Sequence, residues 1–118
     1  MGSMTVMIVD DNQDIRALIR QALQFEGYDV VQAENGDVAR RRLVAGEKPH
    51  VVLLDMMMPV MDGKQFLEWK NQQPDWANIP VIVISALAGD TTLTGIRGYL
   101  RKPIDIDDMM DMIQKNCG

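Results

Sequence analysis

The chain has 118 residues, 47% hydrophobic and 25% charged, with 12 Lys and Arg against 17 Asp and Glu and a formal net charge of −5. This is enough apolar material for one domain with one core; it argues against disorder, and Cys117 as the only cysteine rules out a disulfide scaffold and suits a reducing compartment. The acidic balance argues against a nucleic-acid surface, and no apolar run approaches the roughly 18 residues of a membrane span, the longest being broken by Asp55. The opening Met1-Gly2-Ser3-Met4 has no basic or apolar region of a signal peptide, and Val6 stands where myristoylation needs Ser or Thr. Residues 1–3 read as a tag remnant and 4–118 as the domain, expected to be cytoplasmic.

Short β-branched runs alternate with amphipathic stretches. The first strand is expected over Thr5–Val9, followed by a helix carrying Ile15, Leu18, Ile19 and Ala22, capped by Asn12 and stopped near Gly27. Tyr28–Gln32 reads as the second strand, and Val38, Ala39, Leu43 and Val44 mark a second helix crossed by Arg40, Arg41 and Arg42, a solvated face. Val51–Leu54 and Val81–Ile84 are nearly all apolar, as strands covered on both faces of a parallel sheet must be. Between them lies a helix from about Gly63 to Asn71 and a loop over Gln72–Pro80. A brief strand at Gly98–Leu100 and a helix capped by Asp105, with Ile106, Met109, Met110 and Ile113 on its face, complete the chain. Strict alternation predicts a single doubly wound α/β domain with a five-stranded parallel sheet, about five helices and right-handed crossovers that cover both faces.

The unusual polar residues fall at strand ends. Asp10 and Asp11 follow the first strand, Asp55 the third, Ser85 the fourth and Lys102 the fifth, and in a parallel sheet these ends share one edge, where ligands of open α/β sheets bind. Three carboxylates at short range cannot all ionise comfortably without a cation, and an all-oxygen donor set suits Mg²⁺ (or Mn²⁺). With a lysine ammonium and a serine hydroxyl beside them, the groups describe a pocket for a phosphoryl group with a carboxylate available as nucleophile.

These residues closely resemble the receiver domain of two-component response regulators. The likeness is carried by Val9-Asp10-Asp11-Asn12, Leu53-Leu54-Asp55-Met56-Met57-Met58-Pro59 with Asp62-Gly63, Val83-Ile84-Ser85-Ala86, and Gly98-Tyr99-Leu100-Arg101-Lys102-Pro103. It implies a flavodoxin-like sheet in the order 2-1-3-4-5, with Asp55 as phosphoacceptor and Asp10, Asp11, Asp55 and the Met57 backbone carbonyl as Mg²⁺ ligands. It further implies that Ser85 and Lys102 bind phosphoryl oxygens, that Ser85 and Tyr99 form the switch, and that the Lys102–Pro103 peptide is cis. The implied phosphodonor is a sensor histidine kinase or a histidine phosphotransfer protein, the output is a switched protein-binding surface, and the unphosphorylated form is expected to be a monomer touching neither nucleic acid nor membrane. Met57 and Leu87 would flank the path of attacking water; both are apolar, so slow self-dephosphorylation is expected. The chain's end fits either a stand-alone regulator or the receiver of a larger regulator or hybrid kinase.

Two other functions use some of the same residues. A haloacid-dehalogenase-like phosphatase also forms an aspartyl phosphate, but its nucleophile lies in an Asp-x-Asp motif after the first strand, where this chain has Asp10-Asp11. A phosphorylation-independent pseudo-receiver would have lost site residues that are all present here. The ten methionines read as core filling or, near Asp55, as thioethers too soft for Mg²⁺. His50 reads as a loop or edge residue, and Trp69 and Trp76 as cover for the third helix. Predicted strand starts fall 23, 23, 30 and finally 17 residues apart, leaving the 12 residues Ala86–Arg97 for the last crossover. That is near the minimum for a parallel connection, and Gly89, Gly95, Thr91, Thr92 and Thr94 disfavour helix. The helix before strand five is therefore expected to be shortened or mobile.

Overall fold

In the computed structural model, which describes residues 4–86 and 94–117, β1 (Thr5–Val9), β2 (Asp29–Ala33), β3 (Val51–Asp55), β4 (Val81–Ser85) and β5 (Ile96–Arg101) form one parallel sheet in the order β2-β1-β3-β4-β5. Four helices lie among the described residues: α1 (Gln13–Phe25), α2 (Gly36–Val44), α3 (Gly63–Asn71) and α4 (Ile106–Cys117). The shortened helix expected before strand five would fall largely on residues 87–93, outside the described residues. None of the helices described is long and apolar enough to cross a membrane.

Every residue of β3 and β4 is buried, because their alternate side chains feed two separate cores. Val6, Ile8, Leu53, Ile82 and Ile84 pack with Ile19 and Leu23 of α1 and Met109 and Ile113 of α4. Met7, Val9, Val52, Leu54 and Val83 pack with Ala39 and Leu43 of α2 and Phe66 and Leu67 of α3. A one-residue slip of β3 would exchange the two faces, so two-sided burial fixes the register.

Helix ends follow the local chemistry. Asn12, Asn35 and Asp62 accept hydrogen bonds from the amides of Ile15, Val38 and Gln65, and the Gln65 side-chain oxygen in turn accepts from the Asp62 amide. The last helix is preceded by Asp105, whose carboxylate accepts from the Asp108 amide. At the end of α1, Gly27 takes a φ of +90°, its amide bonds to the Gln24 carbonyl and that of Tyr28 to the Leu23 carbonyl. That closure holds Tyr28 in the helix terminus, so β2 begins at Asp29, one residue later than the β-branched run suggests. β5 is longer than expected at both ends: a bulge opposite Val81 and Ile82 brings Ile96 into the ladder and leaves Arg97 as the extra residue. Arg40 and Arg41 both pair with Asp37, which keeps its carboxyl below the usual range chiefly through the Arg40 hydrogen bond. Trp69 and Trp76 stack at 5.4 Å over α3 and the turn that follows it.

Val60 has a φ of +69° and is 81% exposed, in a tight turn closed by the Met61 amide on the Pro59 carbonyl. A β-branched residue there pays roughly 1–2 kcal/mol in steric strain, of which glycine's extra freedom in the unfolded chain cancels a part. Val60→Gly should stabilise the protein by about 0.5–1 kcal/mol in urea unfolding; a loss of stability would contradict the strain.

Candidate phosphoryl and cation site

The carboxyl ends of β1, β3, β4 and β5 and the loops that follow β1 and β5 meet at one edge of the sheet. Asp55 ends β3 and is 2% exposed; Asp10 follows β1 and is 1% exposed; Asp11 beside it is exposed to solvent. Carboxylate oxygens of Asp10, Asp11 and Asp55 lie within 4.8 Å of one another, a group able to hold a metal ion. Lys102 Nζ stands 3.3 Å from Asp55 Oδ1 and 3.8 Å from Asp10 Oδ2. Ser85, also buried, ends β4, and its carbonyl accepts from the Lys102 amide at 2.9 Å, which ties the lysine's loop to the neighbouring strand. The Lys102–Pro103 peptide is cis.

The two buried carboxylates are held differently. Asp55 Oδ1 accepts from the Met57 amide at 3.3 Å, so the backbone of residue 57 lies against the carboxylate while its side chain is 67% exposed. Asp10 Oδ1 accepts from the Asn12 amide at 2.8 Å, but its Oδ2 is buried with no hydrogen-bond partner. Burial pushes the Asp10 carboxyl up; the Asn12 amide pulls it down, Asp55 raises it, Lys102 lowers it and Asp11 raises it. A buried carboxylate oxygen with no hydrogen bond, grouped with two further carboxylates, is what a hard cation would satisfy, and the all-oxygen donor set fits such an ion.

Close approach explains the Asp62-Gly63 pair. A Cβ at Gly63 would stand 2.6 Å from the Asp55 carbonyl oxygen and 2.7 Å from Met56 Cα. Only glycine lets the start of α3 reach the backbone of the acidic loop. Ala86, after Ser85, is exposed, and Leu87 lies outside the described residues. Tyr99 sits on β5 opposite Val83 and packs at the edge of the core shared with α2 and α3. His50 is on the opposite edge of the sheet, where Nδ1 accepts from the Thr5 amide at 2.9 Å.

One contact was not legible in the residue pattern. Arg16, one turn into α1, donates from Nη1 to the Asp10 carbonyl at 2.6 Å. Its only signal in the sequence is a basic residue four positions after the Asn12 cap, within reach of the strand that the helix leaves.

The model of the response regulator receiver domain matches residues 6–114. The chain is 36% identical to the sporulation initiation phosphotransferase F of Bacillus subtilis over 115 residues, covering 93% of this chain and 90% of that one. It is 29% identical to the polar-differentiation response regulator DivK of Brucella anthropi, covering 97% and 96% of the two chains. Among solved structures, the receiver domain of Francisella response regulator 1452 superposes with a TM-score of 0.85 at 29% identity, over 96% of this chain and 95% of that one. The Vibrio cholerae chemotaxis protein CheY4 has the same fold, with a TM-score of 0.88 at 24% identity over 98% and 99% of the two chains. With the acidic pocket at the sheet's carboxyl edge and the matched span taking in nearly all of the fold, the chain belongs to the response regulator receiver domain family.

Proposed function

We propose that the protein is a phosphoacceptor that takes a phosphoryl group from the phosphohistidine of a sensor kinase or histidine phosphotransfer protein onto Asp55. The observation that carries this reading is the buried Asp55 carboxylate 3.3 Å from Lys102 Nζ, beside an Asp10 Oδ2 that accepts no hydrogen bond. In the transfer the histidine N–P bond breaks as an Asp55 O–P bond forms, and the imidazole leaves with the electron pair of the broken bond. Lys102 neutralises phosphoryl oxygens from one side, and the Ser85 hydroxyl donates to another. Asp10, Asp11, Asp55 and the Met57 carbonyl would hold Mg²⁺ or Mn²⁺, which when bound supplies positive charge to the phosphoryl oxygens. Ser85 moving toward the phosphoryl group, with Tyr99 following, would carry the change to a protein-binding surface.

A docking face for the donor adjoins the site. Ile15, Leu18, Ile19, Pro103, Ile104 and Ile106 line an apolar groove of about 230 Å³ that also touches Lys102, and Leu18 is exposed. An incoming helix seated there would bring a histidine to the carboxyl edge. The phosphatase reading has no support at residue 57, two positions after the nucleophile, where an acid would be needed and a methionine stands.

Incubation with acetyl phosphate and Mg²⁺ should add one phosphoryl mass to the intact protein. Chelator and Asp55→Asn should each abolish it. Labelling that survives in Asp55→Asn would overturn the reading, and multiple turnover of a phosphomonoester would favour the phosphatase.

A further inference from the structure

We infer that Arg16 is a positioning residue for the cation site, acting through the main chain of Asp10. The inference rests on the reading of that pocket as a cation site. The first turn of α1 grips Asp10 at both ends. Asn12 caps the helix with its side chain on the Ile15 amide at 3.0 Å, and its own amide holds Asp10 Oδ1 at 2.8 Å. The Arg16 amide bonds to the Asn12 carbonyl at 3.0 Å, and the Arg16 guanidinium returns to the Asp10 carbonyl at 2.6 Å. The Asp10 amide is committed to the Ala33 carbonyl of β2 at 3.1 Å. Carboxylate, carbonyl and amide of Asp10 are therefore all anchored, which fixes Oδ2, an oxygen that accepts no hydrogen bond and has only the Lys102 ammonium at 3.8 Å beside it.

A charged donor on a carbonyl gives a shorter, stronger bond than a neutral one. The planar guanidinium also ties α1 to the residue that follows β1, and Arg16 lines a cleft with Gln32, Glu34 and Arg42. Without Arg16 the carbonyl of Asp10 loses its anchor, and the carboxylate can rotate toward water instead of holding the orientation a cation needs. Groups that orient metal ligands in this way typically control affinity by 10–100-fold.

The test is a titration of the full chain with Mn²⁺, following the free ion by electron paramagnetic resonance, for wild type, Arg16→Ala, Arg16→Lys and the core control Leu67→Ala. Arg16→Ala should raise the Kd about tenfold, and Arg16→Lys, which keeps one charged donor, should recover part of it. Leu67→Ala should lower the unfolding temperature yet bind Mn²⁺ as wild type does. Amide hydrogen exchange in the metal-free protein gives a reading that needs no cation: the Asn12 amide should exchange at least about fivefold faster in Arg16→Ala. If wild type binds no Mn²⁺, the cation reading fails, and the exchange rates alone decide the positioning role. A wild-type Kd in Arg16→Ala, an equal loss of affinity in Leu67→Ala, or an unchanged Asn12 rate would overturn the inference.

Discussion

Asp10→Asn is expected to unfold about 4–8 °C above the wild-type protein in the absence of metal, while losing at least about tenfold in affinity for divalent cations. Asp10 is 1% exposed, one of its oxygens has no hydrogen-bond partner, and burial is the main cause of its raised pKa. A carboxyl whose folded-state pKa lies above its unfolded value keeps its proton in the folded chain after the unfolded chain has lost it. Stability therefore falls as pH rises through the window above 3.8, and at neutral pH the folded protein carries the whole penalty. Asparagine keeps an acceptor for the Asn12 amide and removes the buried charge, worth about 1–2 kcal/mol. Differential scanning calorimetry with chelator, set beside a Mn²⁺ titration, reads both effects. A less stable Asp10→Asn protein would show that Lys102 already compensates the charge.

Lys70→Met should be more stable than wild type by about 2 kcal/mol at pH 7, with the difference vanishing near pH 10. Lys70 is fully buried on α3, and the interaction found for its Nζ is with the Ala77 carbonyl at 3.1 Å. Burial brings its pKa down from 10.5 to about 8. Between those values the unfolded chain holds a proton that the folded chain has released, so wild-type stability rises with pH across that window. Below pH 8 the folded protein bears the charged amine at full cost. Methionine fills the same volume without charge, at the expense of leaving the Ala77 carbonyl without its donor. Urea unfolding of both proteins at pH 7 and pH 10 checks the sign, and a difference that does not change with pH would contradict the burial argument.

Much of this was legible in the residues because the physics involved is local or periodic. β3 and β4 read as continuous apolar runs since each is covered twice, and Asn12, Gly27 and Asp105 announced their helix ends by type. The placement of these residues was legible because parallel topology sends every strand end to one edge, where Asp10, Asp11, Asp55 and Lys102 come together and the Ser85 carbonyl holds the Lys102 amide. What escaped depends on three-dimensional detail. The Tyr28 amide closing α1 displaced β2 by one residue, and the bulge in β5 drew Ile96 into the ladder against a weak local pattern. Val60 violates the preference of its own side chain for extended backbone, so no propensity could have placed it at positive φ. Arg16 reaches across from helix to strand, and sequence spacing alone does not distinguish that from a solvated arginine.

The central claim is that Asp55 carries the phosphoryl group, and the most direct measurement traps it there. Borohydride reduction of protein treated with acetyl phosphate and Mg²⁺ converts an aspartyl phosphate to homoserine, which tandem mass spectrometry locates in the sequence. Homoserine at residue 55, absent when chelator is present during the phosphorylation, is the predicted result. Reduction at Asp10 or Asp11 instead, or no homoserine in protein that has gained a phosphoryl mass, would contradict it.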